Sequence, residues 1–133
     1  MAAPLLGRKR ELADLRRLFV EGARLVTVTG PEGVGKTRLA RDFAREHGGV
    51  VVLDDARPGD VGEEPTIATA REPLGVAGEQ VYRLRPLGEA PAIELFREHA
   101  PGLDASYVEL AERVRALGRL PGAIERAAAE SQA

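Results

Sequence analysis

Gly30-Pro31-Glu32-Gly33-Val34-Gly35-Lys36-Thr37 is the stretch from which the rest of this 133-residue chain is read. It matches G-x-x-x-x-G-K-[ST] at every fixed position. Glycines let a backbone close into a tight loop whose N–H groups point inward at a polyphosphate, where side chains would obstruct the approach. Lys36 brings a mobile positive charge for the β- and γ-phosphates, and the Thr37 hydroxyl suits a Mg²⁺ ligand. A helix starting at the loop adds the positive end of its dipole and its unpaired N–H groups. The candidate nucleotide-binding residues are therefore Gly30, Pro31, Glu32, Gly33, Val34, Gly35, Lys36, Thr37 and Arg38, with Lys36 also a candidate catalytic group.

Both flanks suit the motif. Residues 24–29, RLVTVT, are a β-branched run of strand length. Residues 36–47 place Leu39, Ala40, Phe43 and Ala44 at helical spacing until Gly48-Gly49 ends the pattern. Next comes Val50-Val51-Val52-Leu53-Asp54-Asp55, four apolar residues ending in two acids. A buried parallel strand delivering carboxylates to a sheet edge has this form, and ligands of open α/β sheets bind at that edge. On this reading Asp54 holds Mg²⁺ through water, and Asp55 orients or deprotonates the attacking water. The alternative is a strand followed by an ordinary acidic turn.

Residues 56–65 are rich in Gly, Pro and acids and predict a loop. Residues 66–70, TIATA, predict a third short strand with Arg71 at its carboxyl end. A guanidinium forks well onto phosphate oxygens, so Arg71 either meets a γ-phosphate or makes a surface salt bridge. Residues 81–84 allow a fourth strand, closed by Pro86.

Helices occupy the two ends of the chain. Residues 10–21 predict one, with Leu12, Leu15, Leu18 and Phe19 buried and Asp14, Arg16 and Arg17 facing water. Residues 90–99 predict another, and a third follows with Asp104 as its cap and Val108, Ala111, Val114 and Leu117 on one face. After Leu120-Pro121-Gly122 an alanine-rich turn or two ends the chain. The expected fold is α/β: a P-loop-type parallel sheet of about four strands with flanking helices and a small C-terminal helical tail. Residues 1–87 are expected to form the nucleotide-binding core and residues 88–133 the helical subdomain.

Bulk properties narrow the function classes. Hydrophobic content of 44% and charged content of 30% are those of an ordinary globular protein. A net charge of -2 gives no general pull toward nucleic acid or anionic lipid, and 4% aromatics argue against a base-stacking surface. The basic cluster Arg8, Lys9, Arg10, Arg16 and Arg17 is interrupted by Glu11, Asp14 and Glu21, as on a solvated helix face. There is no cysteine, which excludes disulfides and cysteine-bound zinc. No apolar run approaches the ~18 residues of a membrane span, and residues 1–6 are too short for a signal-peptide core, so the expected location is cytoplasmic.

Several stretches together resemble the STAND-type NTPases, a class that includes NB-ARC proteins and many bacterial transcriptional regulators. Leu6-Gly7-Arg8-Lys9-Arg10-Glu11-Leu12 is similar to their hydrophobic-Gly-Arg-x-x-Glu opening motif. LVTVTGPEGVGKTRLA, residues 25–40, resembles the Walker A segment of the regulators, and residues 50–55 resemble their Walker B strand. IATAREPLGVAGEQVYRLRPL, residues 67–87, resembles their sensor strand and the segment after it. Residues 89–96 look like the first helix of their small helical domain, and Leu120-Pro121-Gly122-Ala123-Ile124-Glu125 is similar to their Gly-x-Pro element. The resemblance implies an ATP/ADP-switched regulatory module with slow hydrolysis, Gly7 and Arg8 near the adenine, Pro121 packed on it, and Arg71 sensing the γ-phosphate.

The pattern also departs from the family. Only Gly48 and Gly49 separate the Walker A helix from the next strand, so residues 50–53 match either the Walker B strand, which the Asp-Asp ending favours, or the family's second strand. Arg119 stands where the glycine of Gly-x-Pro is expected. With no output domain before Ala133, the expected partners are nucleotide, a second copy of the chain or a separate regulatory protein, and a stable ADP-locked state is not expected. Two other functions fit the same loop: a small-molecule kinase in which Asp54 or Asp55 activates an acceptor hydroxyl, and a non-catalytic relic serving as an interaction module. The expected cofactors are ATP or ADP with Mg²⁺.

Overall fold

In the computed structural model, which describes residues 8–132, helix and strand alternate as far as the second strand, after which two further strands follow with no α-helix between them. Helix α1 spans Lys9–Val20, strand β1 Leu25–Thr29, helix α2 Lys36–His47 and strand β2 Val51–Leu53. Strands β3 and β4 cover Thr66–Ala70 and Glu79–Arg83. They form a four-stranded sheet in the order β2-β3-β1-β4, with every pairing parallel. Leu25 lies opposite both Thr66 and Glu79, and Val51 opposite Thr66. Every carboxyl end therefore falls on one edge, so residues 30, 54 and 71 are delivered to the same side.

Burial follows the strand order. The two central strands, β1 and β3, are buried at every position, whereas β2 is half-buried and β4 is largely exposed. The β-branched residues of LVTVT and TIATA suit such pleated interior positions. On the helical side, Leu39, Ala40 and Phe43 of α2 are buried, at the i, i+1, i+4 spacing of one helix face. Phe43 stacks on Phe19 of α1 at 5.2 Å and on His47 at 4.9 Å between centroids, which ties the first helix to the second.

The stripe expected on α1 is narrower than its spacing predicts: Leu12 and Leu15 are buried, while Leu18 and Phe19 are half-buried. Asp14 is not a purely solvated residue, because it accepts a 2.7 Å hydrogen bond from the Tyr82 hydroxyl. Burial, with the Asp14 carboxylate beside it, pushes the Tyr82 phenol above its usual pKa. Strand β4 begins at Glu79, two residues before the expected start. Glu79 accepts from the Leu74 and Gly75 amides at 2.8 and 3.0 Å, closing the turn that leads into the strand.

The chain divides into two compact units, one of residues 8–32 and 36–84, the other of residues 33–35 and 85–132. The second contains helices α3 (Glu89–His99), α4 (Tyr107–Ala116) and α5 (Pro121–Ser131). Its core is Ala92, Ile93, Leu95 and Phe96 of α3 with Leu110, Ala111, Val114, Ile124 and Ala128 of the other two helices. The Arg113 guanidinium lies 5.4 Å from the centre of the Phe96 ring, a cation–π contact.

Two sequence expectations change in this unit. The cap of α4 is Ser106, not Asp104: its Oγ accepts the Glu109 amide at 3.2 Å. The alanine-rich terminus is an 11-residue helix and not one or two turns, started by Pro121 in its first turn. Just before it Arg119 adopts φ +52°, the left-handed conformation that favours glycine, at the position where the family pattern has one. Among the described residues no helix is long and apolar enough to cross a membrane.

Candidate nucleotide-binding site

The loop leaves β1 at its carboxyl end and runs into the first turn of α2. Gly33 and Gly35 take φ of +85° and +101°, values that a side chain at either position would strain. Lys36 opens α2 and turns its ammonium back over the loop, donating to the Gly30 carbonyl at 2.6 Å and the Pro31 carbonyl at 3.2 Å. A positive charge thus sits against the loop on two neutral carbonyls. Val34 is fully buried, Arg38 is exposed, and Gly33 O accepts the Gly122 amide at 2.9 Å within the second compact unit.

Thr37 and the end of β2 meet directly. The Thr37 hydroxyl donates to Asp54 Oδ1 at 2.5 Å, and the Thr69 hydroxyl donates to the same oxygen at 2.7 Å. Thr69 also accepts the Asp55 amide at 2.8 Å, and its carbonyl accepts the Ala56 amide at 2.8 Å. Hydrogen bonds from Thr37 first and Thr69 second lower the Asp54 carboxyl below its ordinary value, so it stays ionised. Asp54 reaches Thr37 from a strand that is not adjacent to β1, because β3 lies between them and contributes Thr69 as the bridge.

Asp55, the second acid, is exposed and has φ +52°; its amide, not its carboxylate, is anchored to Thr69. Arg71 follows β3 directly and pairs with Glu32 of the loop, Nη2 to Oε2, at 2.6 Å. Of the remaining candidates, Gly7 lies outside the described residues. Arg8 is buried, 3.6 Å from Glu11, and burial lowers its pKa while Glu11 offsets part of that shift. Pro121 is buried at the start of α5 in the second unit.

The donor set fits a hard divalent cation of the magnesium kind. Among the described residues no group of three or more His, Cys, Asp or Glu side chains could hold a metal unaided. One ionised carboxylate beside one threonine hydroxyl is an all-oxygen pair, and Mg²⁺ typically takes one or two protein ligands and completes its shell with phosphate oxygens and water. Asp54 and Thr37 supply that partial set, and Lys36 supplies the charge a polyphosphate needs. Thr69 is the residue that motif reading does not reveal. No signal in the sequence singles it out, because TIATA holds a second threonine, Thr66, and only the burial of the strand shows that the Thr69 hydroxyl requires a partner.

Comparison with known proteins adds three findings. A family model described as AAA ATPase domain matches residues 4–132. Uncharacterised proteins of Mycobacterium tuberculosis and Mycobacterium bovis are each 63% identical to this chain over 35 residues, which is 26% of this chain and 9% of the relative. This chain therefore matches only a small part of the length of those relatives. A solved STAND protein with a tetratricopeptide repeat sensor, from Pyrococcus horikoshii, superposes with a TM-score of 0.61 at 17% identity. The superposition covers 89% of this chain and 29% of the archaeal one, and the likeness is one of fold.

Proposed function

We propose that this chain, which belongs to the AAA ATPase domain family, is a nucleotide switch that binds Mg-ATP or Mg-ADP and hydrolyses ATP slowly at most. The coarse part of that statement follows from the family: this is a nucleotide-binding NTPase module on a STAND-type fold. The observation that supports the finer part is the contact of the Thr37 hydroxyl with Asp54, which sets a metal-competent carboxylate against the residue that follows the loop lysine.

In this reading the amides of residues 30–35 and the start of α2 hold the phosphates, with Arg38 at the rim. Lys36 exchanges its two carbonyl partners for β- and γ-phosphate oxygens. Thr37 and Asp54 hold Mg²⁺, and Thr69 fixes the Asp54 rotamer. When bound, the metal neutralises charge on the phosphates. Asp55 orients the attacking water and Arg71 contacts the terminal phosphate. By the family resemblance, Gly7 and Arg8 serve the base. Exchange of ADP for ATP then favours one arrangement of a larger assembly over another, the partner being a second copy of the chain or a separate regulatory protein.

Equilibrium titration with ADP, with and without Mg²⁺, tests this reading. The unmodified chain binds more tightly when Mg²⁺ is present, and Asp54→Asn loses that gain while keeping metal-free binding. An equal magnesium effect in both proteins would refute the assignment of Asp54.

A further inference from the structure

Glu32 is an unexpected residue for an anion-binding loop. It places a carboxylate among the backbone positions that surround a polyphosphate, and like charges at short range repel. The structure shows what that carboxylate holds. Glu32 Oε2 lies 2.6 Å from Arg71 Nη2, across 39 residues of sequence, where the loop meets the carboxyl end of β3.

Lys36 and Arg71 are held differently. Lys36 rests on two neutral carbonyls, which a phosphate displaces without separating any ion pair. Arg71 is already balanced by an anion. A guanidinium offers the same forked donors to a carboxylate as to a phosphate, so the two anions compete for one seat.

We infer that Glu32 is an internal stand-in for a terminal phosphate, occupying Arg71 until a γ-phosphate displaces it. The inference rests on the nucleotide-binding reading above and deepens it by naming what sets the choice between ATP and ADP. With ADP, or with no nucleotide, the Glu32–Arg71 pair stays closed and links the loop to the residues after β3. With ATP, Arg71 changes partner and Glu32 is released to solvent. Glu32 therefore handicaps ATP relative to ADP, and Arg71 reports the third phosphate only after leaving Glu32. Arg71 and Glu32 are 73% and 83% exposed, and ion pairs so exposed are weak, so the exchange is reversible at equilibrium.

The test is a double-mutant cycle on the full chain, titrated with Mg-ATP and with Mg-ADP. Both side chains are exposed, so Glu32→Gln and Arg71→Gln leave the core intact. The expected result is that Glu32→Gln tightens Mg-ATP about threefold more than it tightens Mg-ADP, and that this difference disappears in the Arg71→Gln background. Equal tightening of both nucleotides, or a difference that survives without Arg71, would overturn the latch by reducing Glu32 to general repulsion. Binding of both nucleotides with Glu32→Gln inert would overturn the latch alone. Binding of neither nucleotide to the unmodified chain would overturn the nucleotide reading and the latch with it.

Discussion

Thr69 uses both sides of one hydroxyl, donating to Asp54 and accepting from the Asp55 amide, while itself 2% exposed. Replacing it with the near-isosteric valine leaves the Asp55 amide without its acceptor and takes one of two hydroxyl donors from Asp54, without creating a cavity. Thr69→Val is expected to cost about 1–3 kcal/mol in urea unfolding. It should also weaken the magnesium-dependent part of ADP binding by about tenfold, as loss of an outer-shell partner does at metal sites. A stability loss with the magnesium effect intact would make Thr69 purely structural. Lys36 and Thr37 were legible in the sequence because the loop chemistry prescribes their type and spacing. Thr69 was not, because nothing local distinguishes a hydroxyl that bridges two strands from one that merely suits a strand. Arg71 carried two readings, phosphate or salt bridge, and the structure shows its present partner to be the Glu32 carboxylate.

The elements that were legible are those whose periodicity is strong. The β-branched run before the loop became β1, and the apolar spacing after it became α2, with Lys36 and His47 as its bounds. Pairing was not legible: that β2 lies against β3, and not against β1, depends on side chains far apart in sequence. The length of α5 was also missed, because alanine marks no apolar face against which helix turns can be counted. Turns governed by side-chain acceptors were equally hidden, as Glu79 shows. Burial, the largest influence on its carboxyl, raises the pKa, but hydrogen bonds including those of the Leu74 and Gly75 amides bring it net below the ordinary value of 4.5. A folded-state pKa below the unfolded one gives stability that is fully present above 4.5 and lost as pH falls through the lower folded value. Glu79→Gln should therefore cost about 1 kcal/mol at neutral pH, and the gap from the unmodified chain should narrow below that pH in denaturation measured across an acid series. A gap independent of pH would contradict the assigned role of the carboxylate.

At the scale of the whole molecule, the chain is two compact units, and residues 33–35 of the loop group with the helical one while Lys36 and Thr37 group with the sheet. A ligand held by Lys36 and Thr37 binds the folded chain and not the unfolded one. Such a ligand stabilises the fold by about 2.7 kcal/mol at one hundred times its dissociation constant. The most direct measurement of the central claim is a thermal melt of the unmodified chain and of Lys36→Ala, each with and without Mg-ADP. The account predicts that Mg-ADP at one hundred times its dissociation constant raises the midpoint of the unmodified chain by about 10 °C, at about 4 °C per kcal/mol for a domain of this size, and leaves Lys36→Ala unmoved. Equal shifts in both proteins, or none in either, would contradict the assignment of this loop as a phosphate cradle.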